Sequence, residues 1–206
     1  MTEPRAATTL SAVGASKVVP VLRSTSAATA TAAAIRLLDE GIGCVELTTT
    51  TPDWLTALRA VLDHRDAAGL TAPIGVGTVS TERDALRAGE AGADFLVSPF
   101  PAPEVRDVAG RAEIPFLEGG LTPGELASAA ARGVAKLFPA HVGGVAYLSS
   151  VLAVLPGARI IPTGGIALSD VPAWLGAGAF AVGVGRDLAE HPDPGAAIRA
   201  LDLPGR

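Results

Sequence analysis

Short apolar runs recur along the chain, and each is followed by a stretch in which apolar residues return at helical spacing. Eight runs have the composition of buried β-strands, and they occupy residues 18–23, 44–50, 72–78, 95–99, 114–120, 135–140, 159–165 and 180–185. The helical pattern is clearest over 28–40, where Leu37 and Leu38 belong to an apolar stripe, and it returns over 55–62 and 86–91. This alternation, repeated every ~20 to 28 residues, predicts a series of βα units.

Eight such units also predict how the strands pair. Strands that are apolar on both faces are typical of parallel sheets covered by helices, and eight βα units close a (β/α)8 barrel. We therefore predict the α/β class and a single TIM-barrel domain over residues 1–206, with a short N-terminal helix over 7–16 that closes the floor. The alternative is a doubly wound open sheet, which would usually carry a G-x-G-x-x-G fingerprint after its first strand; the sequence lacks one there.

Composition narrows the class of protein further. The 206 residues are 49% hydrophobic and 18% charged, as expected for a compact domain. The net charge is −5 and basic residues do not cluster, so we expect neither nucleic acid nor a membrane surface as a partner. The single cysteine, Cys44, cannot form an internal disulfide, and the three histidines show no metal-ligand spacing. Without a signal-peptide pattern or a membrane-length apolar run, we expect a cytoplasmic protein that uses no metal and no cofactor.

One lysine stands near the start of the sixth apolar run. The stretch AKLFPAHVGG contains Lys136, and the other lysine among the sixteen basic residues is Lys17. Glu46 lies in the second run, and Thr48 and Thr50 follow it at spacing two, which predicts that the three share one strand face. If that face is the lumen, Lys136 and Glu46 meet inside the barrel.

A lysine inside a barrel can do chemistry that arginine cannot. Burial favours the neutral amine, which attacks a ketone, whereas a guanidinium group stays protonated. Lys136 and Glu46 therefore indicate Schiff-base chemistry; the alternative interpretation is a structural ion pair that neutralises a buried charge. Other predicted strands end at the same mouth in polar or small residues, namely Arg23, Thr78 and Pro99.

Glycines end the last two predicted strands, in the stretches PTGGI and VGVGR. Their bare backbone N–H groups can approach an anion, and a barrel's phosphate site is commonly built from the loops after strands seven and eight. Gly164, Gly165 and Gly185 are therefore candidate phosphate ligands, and Arg186 is a candidate for a charge-assisted contact. The alternative is that these glycines serve only the conformation of tight turns.

Taken together, the motifs resemble a known family. VVPVLR, CVELTTTTPDW, GVGTV, FLVSP, GGLTPGE, KLFPAHVGG, PTGGI and AVGVG follow the order and spacing of the 2-keto-3-deoxy-6-phosphogluconate (KDPG) and 4-hydroxy-2-oxoglutarate (KHG) aldolase family, over residues ~10 to 201. Members are trimeric class I aldolases on a (β/α)8 barrel. The resemblance implies that Lys136 forms the Schiff base and that Glu46 is the general acid/base. It also implies that Thr78 and Thr163 line the substrate site and that the glycines named above hold the phosphate, and Arg23 matches an arginine present in many members.

Several positions depart from the family pattern. Thr50 stands where gluconate-type enzymes often carry an arginine that binds the pyruvyl carboxylate, so Arg23 and Thr78 are expected to take over; the TTTTPDW run looks more like the phosphogalactonate branch. Glu118 replaces a common proline and is expected to place a second carboxylate near the mouth. The remaining departures are Phe100, His141, where Glu or a small residue is usual, and Arg186, where serine is frequent.

These features predict a class I aldolase. We expect it to cleave a 2-keto-3-deoxy-6-phospho sugar acid of the gluconate or galactonate type, or KHG, to pyruvate and an aldehyde, and to be a homotrimer whose partners are the keto acid and pyruvate. Two alternatives remain open from the sequence: a barrel phosphosugar isomerase or synthase without Schiff-base chemistry, and a noncatalytic barrel that binds small acids.

Overall fold

The computed structural model describes residues 5–201 and 203, in which eight strands alternate with helices. The strands are β1 Val18–Leu22, β2 Val45–Thr48, β3 Ile74–Gly77, β4 Phe95–Val97, β5 Phe116–Gly120, β6 Val134–Leu137, β7 Arg159–Pro162 and β8 Val182–Val184. The α-helices are α1 Arg5–Ser16, α2 Ala27–Asp39, α3 Trp54–Ala67, α4 Glu82–Glu90, α5 Pro103–Arg111, α6 Pro123–Ala130, α7 Gly144–Val154, α8 Val171–Gly176, α9 Arg186–Ala189 and α10 Pro194–Arg199. Short 3₁₀ turns span Ala140–Val142 and Leu168–Asp170.

The strands form one sheet in the order β7–β6–β5–β4–β3–β2–β1–β8, and the pairs between neighbours are parallel. β8 also approaches β7, because Thr163 and Gly183 form a parallel bridge and the Phe180 N–H donates to the Ile160 carbonyl at 2.9 Å. The sheet thus returns to its starting edge as a nearly closed barrel. The predicted (β/α)8 fold is confirmed, and the open doubly wound sheet is wrong.

Two apolar layers stabilise the barrel. The larger lies between the outer face of the sheet and the helices, and the smaller fills the lumen. The buried members of the lumen layer are Val13, Val19, Cys44, Phe95, Val97, Leu117, Val134, Ile161 and Ala181. Val13 comes from α1, and Gly14 on the same helix leaves room for the Phe180 ring, which a Cβ there would approach to 2.2 Å. The predicted floor helix is therefore present, and it begins at Arg5 rather than at residue 7.

Most predicted helices appear with shifted ends. The pattern over 28–40 corresponds to α2, and the apolar stretch over 55–62 is the first part of the longer α3. α6 begins with a capping box, in which the Thr122 hydroxyl accepts from the Glu125 N–H and the Glu125 carboxylate accepts from the Thr122 N–H. The predicted domain 1–206 includes residues 1–4, 202 and 204–206, which lie outside the described part of the chain. No helix in the described part is long and apolar enough to cross a membrane.

Candidate active site

Lys136 and Glu46 meet inside the barrel. The Lys136 Nζ lies 3.4 Å from the Glu46 Oε1, and the two side chains are 5% and 4% exposed. Topology explains the meeting, because β2 and β6 face each other across the lumen although the residues are 90 positions apart. Lys136 also places its Nζ 5.5 Å from the centre of the Phe138 ring, two residues further along the chain. The site thus combines one amine, one carboxylate and an aromatic wall.

Gly77 makes space for the Glu46 carboxylate. A Cβ at Gly77 would lie 1.8 Å from the Glu46 Oε1, closer than any real contact, so the carboxylate occupies the place of the missing side chain. The two residues lie on the paired strands β2 and β3. In the sequence, Gly77 lies within the third apolar run, 72–78, and has no predicted role of its own. The signal that could have revealed this role is a glycine on the strand next to a lumen-facing carboxylate.

The Gly164–Gly165 turn packs on the loop that follows β6. Both glycines have left-handed backbone conformations, with φ of 98° and 70°, which favour glycine over other residues. A Cβ on Gly164 would lie 2.9 Å from the Phe138 ring, and one on Gly165 would lie 2.8 Å from His141. The Thr163 side chain lies against Gly183 of β8. The predicted Thr163 and the glycine pair therefore adjoin the loop that carries the lysine's aromatic neighbour.

The remaining residues predicted for the substrate site lie around the carboxyl ends of the strands. Arg23 and Thr50 are exposed, and Thr50 lies beyond the end of β2 instead of on it, although its hydroxyl is 3.1 Å from that of Thr48. Thr78 is half-buried and has a φ of 59°, an uncommon conformation for a threonine that is often found at functional sites. Pro99 is half-buried after β4.

Gly185 and Arg186 lie where β8 passes into α9. Gly185 is the N-cap residue of this four-residue helix. The Arg186 side chain is 87% exposed, and its Nε lies 4.0 Å from a Glu190 carboxylate oxygen. The neighbouring Asp187 does not pair with Arg186 and instead accepts from the Leu168 N–H at 2.9 Å. The structure thus places the Arg186 backbone next to the predicted phosphate glycine and its guanidinium in solvent.

Glu118 does not lie at the mouth, and that prediction is wrong. Successive residues of a strand point to opposite faces, and because Leu117 belongs to the lumen layer, Glu118 points outward between the helices. Its carboxylate accepts from the Ala102 N–H at 2.9 Å and from the guanidinium groups of Arg106 and Arg132. Burial alone raises the pKa of this carboxyl, but the bonds from Arg106, Ala102 and Arg132 outweigh it and hold the pKa below its usual value.

Three further side chains singled out in the sequence lie on the loops after the strands or near the floor of the lumen. Phe100 is 52% exposed on the loop after β4. His141 is exposed and its Nδ1 lies 3.3 Å from the Gly164 carbonyl. Cys44 is buried near the floor of the lumen, and burial raises the pKa of its thiol to about 12, which leaves it a packing residue. Among the described residues, no group of three or more His, Cys, Asp or Glu is placed to hold a metal ion.

Comparison with known proteins agrees with this architecture. The family model for KDPG and KHG aldolases matches residues 10–196. The 2-dehydro-3-deoxy-phosphogluconate aldolase of Pseudomonas aeruginosa is 33% identical over 162 residues, which are 77% of this chain and 72% of that protein. A probable 2-dehydro-3-deoxy-6-phosphogalactonate aldolase of Rhizobium meliloti is 30% identical over 155 residues, 74% of this chain and 72% of that one.

A solved structure extends the likeness to three dimensions. The KDPG aldolase of Legionella pneumophila, crystallised with pyruvate captured at low pH as a covalent carbinolamine intermediate, aligns with a TM-score of 0.79. The two chains are 29% identical, and the alignment covers 96% of this chain and 91% of that one.

Proposed function

The chain belongs to the KDPG and KHG aldolase family, and from this membership we propose that it is a class I aldolase that releases pyruvate from a 2-keto-3-deoxy sugar acid. The preferred substrate class is the 6-phosphate of the gluconate or galactonate type, with KHG as the shorter alternative. The observation that carries the proposal is the buried Lys136 amine. Among the residues that the structure describes, its one carboxylate partner is Glu46, at 3.4 Å.

The first step forms a covalent bond between Lys136 and the substrate. The neutral amine adds to the C2 ketone, and the resulting carbinolamine loses water to give an iminium ion. The iminium carbon then accepts electrons from the neighbouring C3–C4 bond. An arginine in this place would stay protonated and form no imine, which fits the choice of lysine in a chain that otherwise uses arginine almost throughout.

The second step breaks the C3–C4 bond. Glu46 takes the proton of the C4 hydroxyl, the C4 oxygen becomes the carbonyl of the released aldehyde, and the bonding electrons move into an enamine on Lys136. Glu46 then returns a proton to C3, and water hydrolyses the iminium to release pyruvate and the free amine. A carboxylate held by one amine, with space over Gly77, is suited to move a proton in both directions.

The substrate is proposed to bind around this pair. We assign Arg23 and Thr78 to the pyruvyl carboxylate, and the full set of substrate contacts to residues around the strand ends: Arg23, Thr50, Thr78, Pro99 and Thr163. The backbone N–H groups of Gly164, Gly165 and Gly185 are assigned to the phosphate, with Arg186 as an added cation. For its guanidinium to reach the phosphate, the side chain must leave Glu190 and turn toward the glycines.

The trimeric assembly follows from the family resemblance, and the location from the composition of the sequence. We propose a cytoplasmic homotrimer; light scattering coupled to gel filtration will give the subunit number directly.

The assay that tests the function is pyruvate release from a panel of substrates. Both C4 epimers of the 6-phosphate acid and KHG are offered to the purified protein, and pyruvate is read by a coupled dehydrogenase. Release from at least one of them is expected. Absence of release from all three, with the protein folded, would leave the isomerase, synthase and noncatalytic alternatives.

A further inference from the structure

His141 is fixed against the turn that is proposed to hold the phosphate. The Ala140 N–H donates to the Thr163 carbonyl at 2.9 Å, and the His141 N–H donates to the Gly164 carbonyl at 3.1 Å. These two backbone bonds join the loop after β6 to the loop after β7. The position of the imidazole relative to the turn is therefore set by the backbone, not only by the rotamer of an exposed side chain.

The ring itself contacts both glycines. It occupies the side of Gly165 where a side chain would otherwise stand, since a Cβ there would lie 2.8 Å from the His141 Cβ, Cγ and Nδ1. The Nδ1 lies 3.3 Å from the Gly164 carbonyl oxygen, and because a carbonyl only accepts, Nδ1 is the donor in this contact. Among the residues that the structure describes, Nε2 has no hydrogen-bond partner.

This arrangement leaves a donor position beside the proposed phosphate site. With Nδ1 already donating, Nε2 carries a proton only in the imidazolium form, which has the charge that a phosphate attracts. We propose that His141 determines specificity for phosphorylated substrates by donating from Nε2 to the phosphate held at Gly164 and Gly165. The inference rests on the proposed aldolase function and adds one substrate contact to it. It also gives the turn a donor whose ring already touches it, whereas Arg186 lies in solvent.

The test compares two aldehydes in the condensation direction. Cleavage of either 6-phosphate epimer releases glyceraldehyde 3-phosphate, so condensation of pyruvate with that aldehyde, and with unphosphorylated glyceraldehyde, isolates the contribution of the phosphate. We expect His141→Ala to raise KM for glyceraldehyde 3-phosphate about tenfold, toward the lower end for a charged hydrogen bond at an exposed site. KM for glyceraldehyde and kcat for both aldehydes should stay near wild type.

Two more variants separate a substrate contact from a structural one. His141→Gln keeps a neutral N–H donor and is expected to recover part of the loss. Val142→Ala removes a 65% exposed side chain from the same loop and should behave as wild type. An unchanged KM for glyceraldehyde 3-phosphate in His141→Ala, or equal rises for both aldehydes, would overturn the proposal.

Borohydride trapping of pyruvate alone tests the aldolase function separately from the His141 contact, because pyruvate has no phosphate. Trapping equal to wild type is expected in all three variants. A wild-type protein that traps no pyruvate would remove the aldolase function and this inference with it, whereas normal trapping without a phosphate effect would remove the inference alone.

Discussion

Among the residues that the structure describes, two glutamate side chains are buried to nearly the same degree in opposite environments, with Glu46 4% exposed and Glu118 3% exposed. Glu46 faces the lumen, and its one described hydrogen bond, at 3.4 Å, comes from the flexible amine of Lys136. Glu118 faces the helices and accepts four hydrogen bonds, from the Ala102 N–H, Arg106 and Arg132. The difference is therefore one of partners, not of burial.

The partners decide what each carboxylate can do. Arginine stays protonated, so Arg106 and Arg132 keep Glu118 ionised and fully occupied, as suits a residue that joins α5 and the end of α6 to β5. Lysine can lose its proton, and its single long contact leaves Glu46 with acceptor capacity to spare. A buried carboxylate with few partners is a candidate for chemistry, and one saturated by guanidinium groups is a candidate for stability.

Among the substitutions that test this comparison, Glu46→Gln is expected to have the largest effect. It preserves the shape of the side chain but removes the proton acceptor, so turnover should fall on the order of 10² to 10⁴-fold. Pyruvate trapping should persist, because the amine remains. Steady-state pyruvate release, with trapping as the control, makes the measurement, and unchanged turnover would move the base to another residue.

Gly77→Ala tests whether the position of Glu46 matters as well as its presence. The new methyl group collides with the carboxylate, and displacement by about an ångström should lower turnover on the order of 10²-fold. Gly75→Ala, on the same strand β3, is the matched control, since its methyl group crowds the Phe95 ring of β4 instead. Turnover per folded molecule should survive in the control. Equal turnover losses in the two variants would mean that crowding β3, not moving Glu46, is responsible.

Glu118→Gln should produce the opposite profile. Loss of the charge weakens the bonds from Arg106 and Arg132, and because both arginines are partly exposed, the free energy of unfolding should fall by only about 1 to 3 kcal/mol. Denaturant titration measures the loss. kcat of the folded variant should remain near wild type, and a loss of kcat comparable with that of Glu46→Gln would erase the distinction between the two glutamates.

The contribution of Glu118 should also depend on pH, which gives the smallest of these effects. Its pKa is lowered in the folded state, so the stabilisation is complete above the unfolded value of about 4.3 and disappears as pH falls through the folded value. The stability difference between wild type and Glu118→Gln should therefore be full at about pH 7 and narrow below about pH 4. A difference that stays constant over this range would show that the carboxylate charge is not responsible.

Sequence predicted the barrel because its signals are repeated and local. Eight apolar runs separated by helical patterns specify the order of the elements, and parallel pairing follows from strands that are apolar on both faces. When both faces of a strand are apolar, the sequence does not show which residues point into the lumen. This is why Glu118 was expected at the mouth. Its partners Arg106 and Arg132 are 12 and 14 positions away and give no local signal. α9 and α10, of four and six residues, are too short to show a helical period.

The site was predictable where one unusual residue type stood in an apolar run. Lys136 and Glu46 met this condition, and the barrel topology supplied the contact between them. A contact that requires the absence of a side chain, such as that of the Glu46 carboxylate with Gly77, depends on three-dimensional packing and could not be predicted from the sequence. The sequence also did not predict the direction of side chains at the ends of helices and strands, as Arg186 and Thr50 illustrate.

The central claim is that Lys136 forms the Schiff base and does not serve only as one half of a structural ion pair. The chain offers a clear test because it has two lysines, and Lys17 lies between α1 and β1 at the opposite end of the barrel. The protein is incubated with pyruvate and borohydride, and the adduct is located by peptide mass spectrometry in wild type and in Lys136→Arg. We predict a reduced pyruvyl adduct on Lys136 alone and none in the variant. An adduct on Lys17, or pyruvate release by a wild type that forms no adduct, would contradict the account.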